Sequence, residues 1–202
     1  MTDKSIYDIC ISVASNSKCL SRKIGAVLVK DGCVVSTGYN GPPRGVHHCD
    51  VRHQYDDNLR KEYKKRGILK EEDFKVTHVL QLQRYAQTVY GYNHISFNKC
   101  PRQLMGFKSG EGLQWCIAGH AERNALNNAG RLGISTYGTT MYMSCGIPCS
   151  PCLVEIINHG VKEIVVTKMS YYDISAEYLV KDSDLKIRVY DFIDPNDPDE
   201  KY

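Results

Sequence analysis

One histidine, one glutamate and two cysteines carry the chemistry legible in this chain. His120 stands two residues before Glu122 in the run Cys116-Ile-Ala-Gly-His120-Ala121-Glu122, and Pro148-Cys149-Ser-Pro-Cys152 follows downstream. One imidazole and two thiolates make three good Zn²⁺ ligands, one short of a closed tetrahedron. Three protein ligands and an open fourth position describe a hydrolytic site, where zinc makes water a usable nucleophile near neutral pH. Glu122 is not needed as a ligand, so its carboxylate is free to move protons. A lone Cys-x-x-Cys suits a redox pair or half of a structural zinc site, and a lone His-x-Glu says little. Both together, in this order and with a helix behind each, are specific.

Two helices must position these groups. Residues 121–129 are good helix formers, which places His120 in a first turn. Residues 148–157 read as a second helix with both cysteines in its first turn. The positive end of a helix eases cysteine ionisation. Upstream, Ile6, Ile9, Cys10 and Val13 share one face of a helix over 4–16. Gly25–Val29 reads as a strand, Asp31-Gly32 as a hairpin turn, and Cys33–Tyr39 as the returning strand. The loop Asn40-Gly-Pro-Pro-Arg-Gly45 is rigid and suits a binding residue. After residue 120 the rhythm is α/β: strands near 139–145 and 163–167, a helix over 174–181 and a last strand over 185–190. Short strand–helix–strand links imply a partly parallel sheet.

Residues 46–115 are the least regular part. They contain a charged stretch over 56–75, a helical pattern over 76–91 (Val79, Leu82, Tyr85, Ala86 and Val89 inward), and loops at Asn98–Arg102 and Ser109–Gly112. The reading is one domain over 1–193 with an insertion at about 50–115, then an acidic tail at 194–202. The 202 residues suit one domain with a sizeable core. Net charge of +3 is too small to argue for a nucleic-acid surface. No apolar run approaches the roughly 20 residues of a membrane span, and the first residues lack a signal-peptide core. The expectation is a cytoplasmic protein that binds neither nucleic acid nor membrane.

Nine cysteines are many for a reducing compartment, where clustered thiols are metal ligands more often than disulfides. Cys10, Cys33 and Cys145 sit in apolar segments and are expected as core thiols. Cys19, Cys49, Cys100 and Cys116 lie beside polar and turn residues in loops flanking the insertion. Four thiolates make a closed structural zinc site, with His48 or His94 able to replace one. The competing reading is scattered thiols without metal.

The order His-x-Glu then Pro-Cys-x-x-Cys resembles the signature of zinc nucleobase deaminases. Further runs narrow the resemblance to the deoxycytidylate deaminase family. They are Ser21-x-Lys-x-Gly-Ala-Val, Ser36-Thr-Gly-Tyr-Asn-Gly-Pro-Pro-x-Gly45, Cys100-Pro-Arg, Ser109-Gly-Glu-Gly-Leu-x-x-Cys116, His120-Ala-Glu-x-Asn-Ala and Pro148-Cys-x-x-Cys152. One segment departs from the pattern: where the family often has Thr-Leu-x-Pro-Cys, Ser144-Cys-Gly-Ile-Pro-Cys149 is a residue longer, in a stretch that usually lines the base pocket.

The resemblance implies a three-layer α/β fold, a five-stranded mixed sheet with helices on both faces. It implies zinc-dependent deamination of dCMP to dUMP and ammonia, supplying dUMP for thymidylate synthesis. Glu122 would be the proton carrier, and His120, Cys149 and Cys152 the metal ligands. Asn40 would meet the nucleotide near its sugar, and the Ala121 N–H the base carbonyl. Arg22, Lys23 and Arg44 are candidates for the 5′-phosphate, with Tyr172 or its rival Tyr171. Family members are commonly hexamers activated by dCTP and inhibited by dTTP with Mg²⁺. Arg131 is a candidate for reaching a neighbouring subunit, and Ser109 and Gly110 for approaching a triphosphate. Rival readings are a dCTP deaminase, a tRNA adenosine or free-base deaminase, and a zinc-stabilised scaffold without activity. Intact Glu122 speaks against the scaffold.

Overall fold

Ala26, Val27, Leu28 and Val29 are all buried, so the strand they form is covered on both faces. Such a strand must lie inside a sheet with a layer on each side. In chain order the elements are α1 (Asp3–Ser15), β1 (Gly25–Lys30), β2 (Cys33–Tyr39), α2 (Asp57–Lys65), α3 (Pro101–Leu104), α4 (Ala121–Arg131), β3 (Thr140–Met143), α5 (Ser150–Asn158), β4 (Glu163–Val166), α6 (Ile174–Asp182) and β5 (Lys186–Val189). The computed structural model describes residues 1–70 and 96–193. The expected helix over 76–91, residues 71–75 of the charged stretch, His94 and the acidic tail lie outside them.

The sheet runs β2-β1-β3-β4-β5. β1 pairs antiparallel with β2 and β3, while β4 and β5 add on in parallel. Asp31 and Gly32 join the hairpin with φ of 50° and 75°, the two positive values that match a right-handed strand twist. Strand alternation then sorts the core. Val27, Val29, Tyr142 and Val165 meet Ile6, Tyr7 and Cys10 of α1 on one face. Ala26, Leu28, Met141, Met143, Ile164 and Val166 meet α4, α5 and Ala176 of α6 on the other. The five-stranded mixed sheet with helices on both faces is the expected fold. Each fully buried aliphatic side chain contributes about 1.5–3 kcal/mol, so the sheet is a stiff base for whatever its helices carry.

The chain forms two compact units. One holds residues 1–18, 22–41 and 118 onward, and contains the whole sheet; the other holds 19–21 and 42–117. The second unit has its own small core of Leu59, Tyr63, Leu69 and Met105, with Phe97 and Trp115 packed against it. Arg52 ties this core together by donating to the Trp115 carbonyl at 2.7 Å and pairing with Asp56.

Two expectations need correcting here. Cys33 is exposed, because it follows the hairpin turn directly on the edge strand β2. Asn98–Arg102 is not all loop: Pro101 opens the one-turn helix α3, where its missing N–H costs nothing. Of the other expected core thiols, Cys10 is fully buried and Cys145 packs partly buried against the core. No helix among the described residues is long and apolar enough to cross a membrane.

Candidate active site

His120 and Cys149 occupy the N-cap positions of α4 and α5, with extended ψ of 155° and 158°. Both were expected inside the first turns. The cap position is what frees them: an extended backbone swings the side chain off the helix surface. Neither makes a capping hydrogen bond, so each is turned to its neighbours instead. Cys152 sits three residues into the same end of α5.

The three side chains converge. His120 Nδ1 lies 3.5 Å from Cys149 Sγ and 3.3 Å from Cys152 Sγ, and the two sulfurs are 3.5 Å apart. Among the described residues this is the one group of three such side chains whose ligand atoms lie within 4.8 Å of one another. One imidazole and two thiols at this spacing suit Zn²⁺. Three protein donors are the complement of a catalytic site. Cys149 is held down to about 4 by hydrogen bonds from Cys152 and His120. Cys152 is pushed up, first by its hydrogen bond to Cys149 and then by burial. Zn²⁺ takes cysteine as thiolate, so binding a metal at this pair displaces thiol protons.

Glu122 lies beneath this trio. Its Oε1 is 4.0 Å from His120 Nδ1, and the residue is 5% exposed. Burial pushes its carboxyl above the usual carboxylate range, where a proton carrier is most useful at neutral pH.

The framework is built by contacts that no local pattern announces. Asn124 and Asn128 on α4 donate to the carbonyls of Tyr39 and Thr37 on β2, each at 2.8 Å. Ser36 donates back to the Ala125 carbonyl at 2.7 Å. Gly38 lets the strand and helix approach, since a Cβ there would run into the Ala121 carbonyl and the Ala125 backbone. Arg123 and Glu155 join α4 to α5 at 2.6 Å. Sequence reasoning missed all of these.

The remaining candidates distribute as follows. Asn40 is buried; its amide accepts from the Ile24 N–H and donates to the Arg22 carbonyl, both at 2.8 Å, so it staples the loop onto residues 22–24. Ala121 is buried as the first residue of α4. Arg22 and Lys23 are exposed, as are Tyr171 and Tyr172. Arg131 is exposed at the last residue of α4. In the second unit, Arg44, Ser109 and Gly110 are exposed. The turn carrying Ser109 and Gly110 is closed by Arg102, which donates to the Lys108 and Glu111 carbonyls.

The second unit also holds the other four cysteines. Cys100 is buried, and Cys19, Cys49 and Cys116 are half-buried. Burial pushes the Cys49 thiol up to about 12, and the sulfurs of Cys100, Cys116 and Cys19 add to it. The four are electrostatic neighbours, but no three of them reach the ligand spacing of the His120 trio. Two buried polar atoms of the same unit, Asp50 Oδ1 and Tyr63 Oη, have no hydrogen-bond partner. His48 is exposed.

A three-layer α/β sheet carrying a His–Cys–Cys trio over a buried glutamate defines the cytidine deaminase-like class of zinc hydrolases. The model of the cytidine and deoxycytidylate deaminase zinc-binding region matches residues 1–168, and the chain belongs to that family. It is 32% identical over 168 residues to the deoxycytidylate deaminase of Enterobacteria phage T4, covering 82% of this chain and 77% of that one. It is 26% identical over 188 residues to the deoxycytidylate deaminase of Schizosaccharomyces pombe, covering 93% of this chain and 44% of that one. It thus spans less than half the length of this relative, and the same holds for the Saccharomyces cerevisiae enzyme at 45%. The fold is also that of the dCMP deaminase from the cyanophage S-TIM5, solved in complex with dCMP and dUMP. That likeness has a TM-score of 0.54 at 18% identity and covers 92% of this chain and 94% of that one.

Proposed function

We propose that this chain is a zinc-dependent hydrolase that converts dCMP and water to dUMP and ammonia in the cytoplasm. The observation that carries the reading is buried Glu122 set against the His120–Cys149–Cys152 trio. Zinc, when bound there, supplies a Lewis acid that lowers the pKa of water towards neutrality. Glu122 takes one proton from the attacking water and delivers it to N3 of the cytosine ring. It then takes the second proton from the hydroxyl now on C4 and passes it to the amino group, which leaves as ammonia as the C4 carbonyl forms. Its burial keeps the proton affinity high enough for both transfers. The names of the phage and yeast relatives support the choice of dCMP.

Substrate contacts follow the same reading. The Ala121 N–H, at the start of α4, meets the base carbonyl, and Asn40 meets the sugar with the loop it staples. Arg22, Lys23, Arg44 and Tyr172 are the candidates for the 5′-phosphate. A site built to hydrogen-bond the 5′-phosphate discriminates against a substrate that lacks it, so dCMP should exceed deoxycytidine by at least about a hundredfold in kcat/KM. The domain reading is a single deaminase domain over 1–193 with the insertion at about 50–115. We propose a second, structural zinc held by Cys19, Cys49, Cys100 and Cys116, supported by their shared surroundings and by the unpartnered buried atoms nearby. Assembly as a hexamer, activation by dCTP and inhibition by dTTP with Mg²⁺ complete the proposal. Arg131, Ser109 and Gly110 are candidates for that control, which needs a coupling of roughly 1–3 kcal/mol between sites.

The test is a deamination assay on dCMP, CMP, dCTP, cytidine and an adenosine-containing RNA, with dCTP or dTTP then added to the preferred substrate. Preference for dCMP with sigmoidal kinetics that dCTP makes hyperbolic is the expected result. Turnover of the RNA or of dCTP in place of dCMP overturns the substrate, and kinetics indifferent to both triphosphates overturn the control.

A further inference from the structure

The Cys149–Cys152 helix has an unusual beginning. Residue 149 is its N-cap, the position where Ser, Thr, Asp or Asn normally bonds the exposed amides of the first turn. A cysteine whose sulfur faces His120 cannot do this, and α5 has no hydrogen bond from its own cap side chain. The free end is satisfied from elsewhere. Asp173, 23 residues downstream, receives both the Ser150 N–H, on Oδ2 at 3.2 Å, and the Ser150 hydroxyl, on Oδ1. The same Oδ1 accepts the Ala176 N–H at 2.8 Å, so Asp173 is also the N-cap of α6. One carboxylate therefore closes two helix N-termini, and one of those helices carries two of the three metal ligands. The Ser150 hydroxyl holds the Asp173 carboxyl below the usual carboxylate range, with the Ala176 and Ser150 amides adding to it.

We infer that Asp173 is the positioning residue of the metal site: it acts through Ser150 to set the start of α5, and so the place of Cys149 and Cys152. The inference rests on the metal reading of the trio, not on the identity of the substrate. Its physical basis is substitution of function. The cap side chain of α5 is committed to the metal, and a charged acceptor on a neighbouring helix restores the missing hydrogen bonds and complements the positive helix end. Asp173 also follows Tyr171 and Tyr172 directly, so the loop bearing those tyrosines ends at the residue that anchors the cysteine helix.

Asp173→Asn separates this role from ordinary capping. Asparagine caps a helix as well as aspartate does, so α6 keeps its Ala176 bond through the amide oxygen. The amide nitrogen cannot accept the Ser150 N–H, so the backbone arm of the bridge to α5 is lost and only the Ser150 hydroxyl bond to the retained oxygen is left. Ser150→Ala is the complementary variant, leaving the α6 cap untouched and removing the hydroxyl bond. The probe is the full chain loaded with Co²⁺, read by its thiolate-to-cobalt charge-transfer band and by transfer of the metal to a chelator. Thermal unfolding of the metal-free protein is measured alongside. The expected result is metal affinity about 10–100-fold weaker in Asp173→Asn, a smaller loss in Ser150→Ala, an altered band in both, and metal-free unfolding close to the parent's. Cobalt affinity and spectrum equal to the parent's in both variants overturn the inference while leaving the metal reading intact. So does a loss matched by equal destabilisation of the metal-free protein, which marks a purely structural contact. A parent protein that binds no cobalt at this trio overturns the metal reading itself.

Discussion

The chain gathers cysteines in two places, and they differ in what holds them. In the first unit Cys149 and Cys152 stand at the start of α5, His120 at the start of α4, and both helices pack on one face of the sheet. Their ligand atoms are already within 4.8 Å of one another. In the second unit Cys19, Cys49, Cys100 and Cys116 lie on loops or at the end of the one-turn helix α3. They share surroundings but not ligand spacing. The contrast fits the general rule that a catalytic site needs its ligands held by the scaffold, because catalysis tolerates little misplacement. A site meant only to hold loops can leave its final geometry to the metal.

The largest expected effect separates chemistry from scaffold in the first unit. Glu122→Gln should lower turnover by several orders of magnitude, of which general acid–base catalysis typically supplies 10²–10⁴-fold. Metal content should stay at the parent's level. Steady-state kinetics beside metal analysis check this, and near-normal turnover with the metal in place removes Glu122 from its role.

Next in size is the proposed dependence of the second unit on metal. Metal analysis should find two zinc per chain in the parent and one in Cys49→Ser, with a lower melting temperature in the variant. A parent holding a single zinc when metal-replete would collapse the comparison, leaving four thiols that are neighbours without a ligand role.

Two smaller effects probe the scaffold beneath the catalytic trio. Gly38→Ala places a methyl group against the α4 backbone, an overpacking that costs about 1–3 kcal/mol. It should also slow turnover by shifting His120 and Glu122; chemical denaturation and kinetics on the folded protein report the two parts. The smallest effect concerns the far face of the sheet. Asp3 accepts hydrogen bonds from Arg188 and from the Asp191 N–H. The Arg188 guanidinium, as the leading cause, holds its carboxyl below the ordinary range. A depressed carboxylate stabilises the fold above its unfolded pKa of about 3.9 and loses that contribution as pH falls through the lower folded value. Asp3→Asn should therefore reduce stability by about 1–2 kcal/mol at neutral pH, discounted for the part-exposed arginine. In acid below that lowered folded value the difference should vanish. Urea midpoints across pH measure it, and a gap that persists in acid contradicts the ion-pair account.

Much of the architecture was legible because it is local. The apolar run at 25–29 declares a doubly covered strand. Asp31-Gly32 declares a hairpin turn, since both residues accept positive φ. His120, Glu122, Cys149 and Cys152 declare a metal site by type and spacing alone. The misses have a common cause. Cys33 sits in an apolar segment, yet its exposure follows from β2 being an edge strand. The binding role read for Asn40 stays a proposal; what no local pattern announced is that both ends of its amide engage residues 22–24. Asp173 carries the signal of a helix cap before residues 174–181, but nothing local shows that it caps a second helix as well.

The amino-acid sequence by itself determined the donor set, the presence of a carboxylate not used as a ligand, and the helices and strands that carry them. Those follow from side-chain chemistry and from periods of two and 3.6 residues, which are properties of neighbours along the chain. Only the tertiary structure decided that Glu122 is buried, that the caps of α4 and α5 face each other, and that Asp173 completes the end of the cysteine helix. Burial and convergence depend on which distant segments pack together. Desolvation of a carboxylate is set by atoms from elements that no local pattern in the chain brings near it.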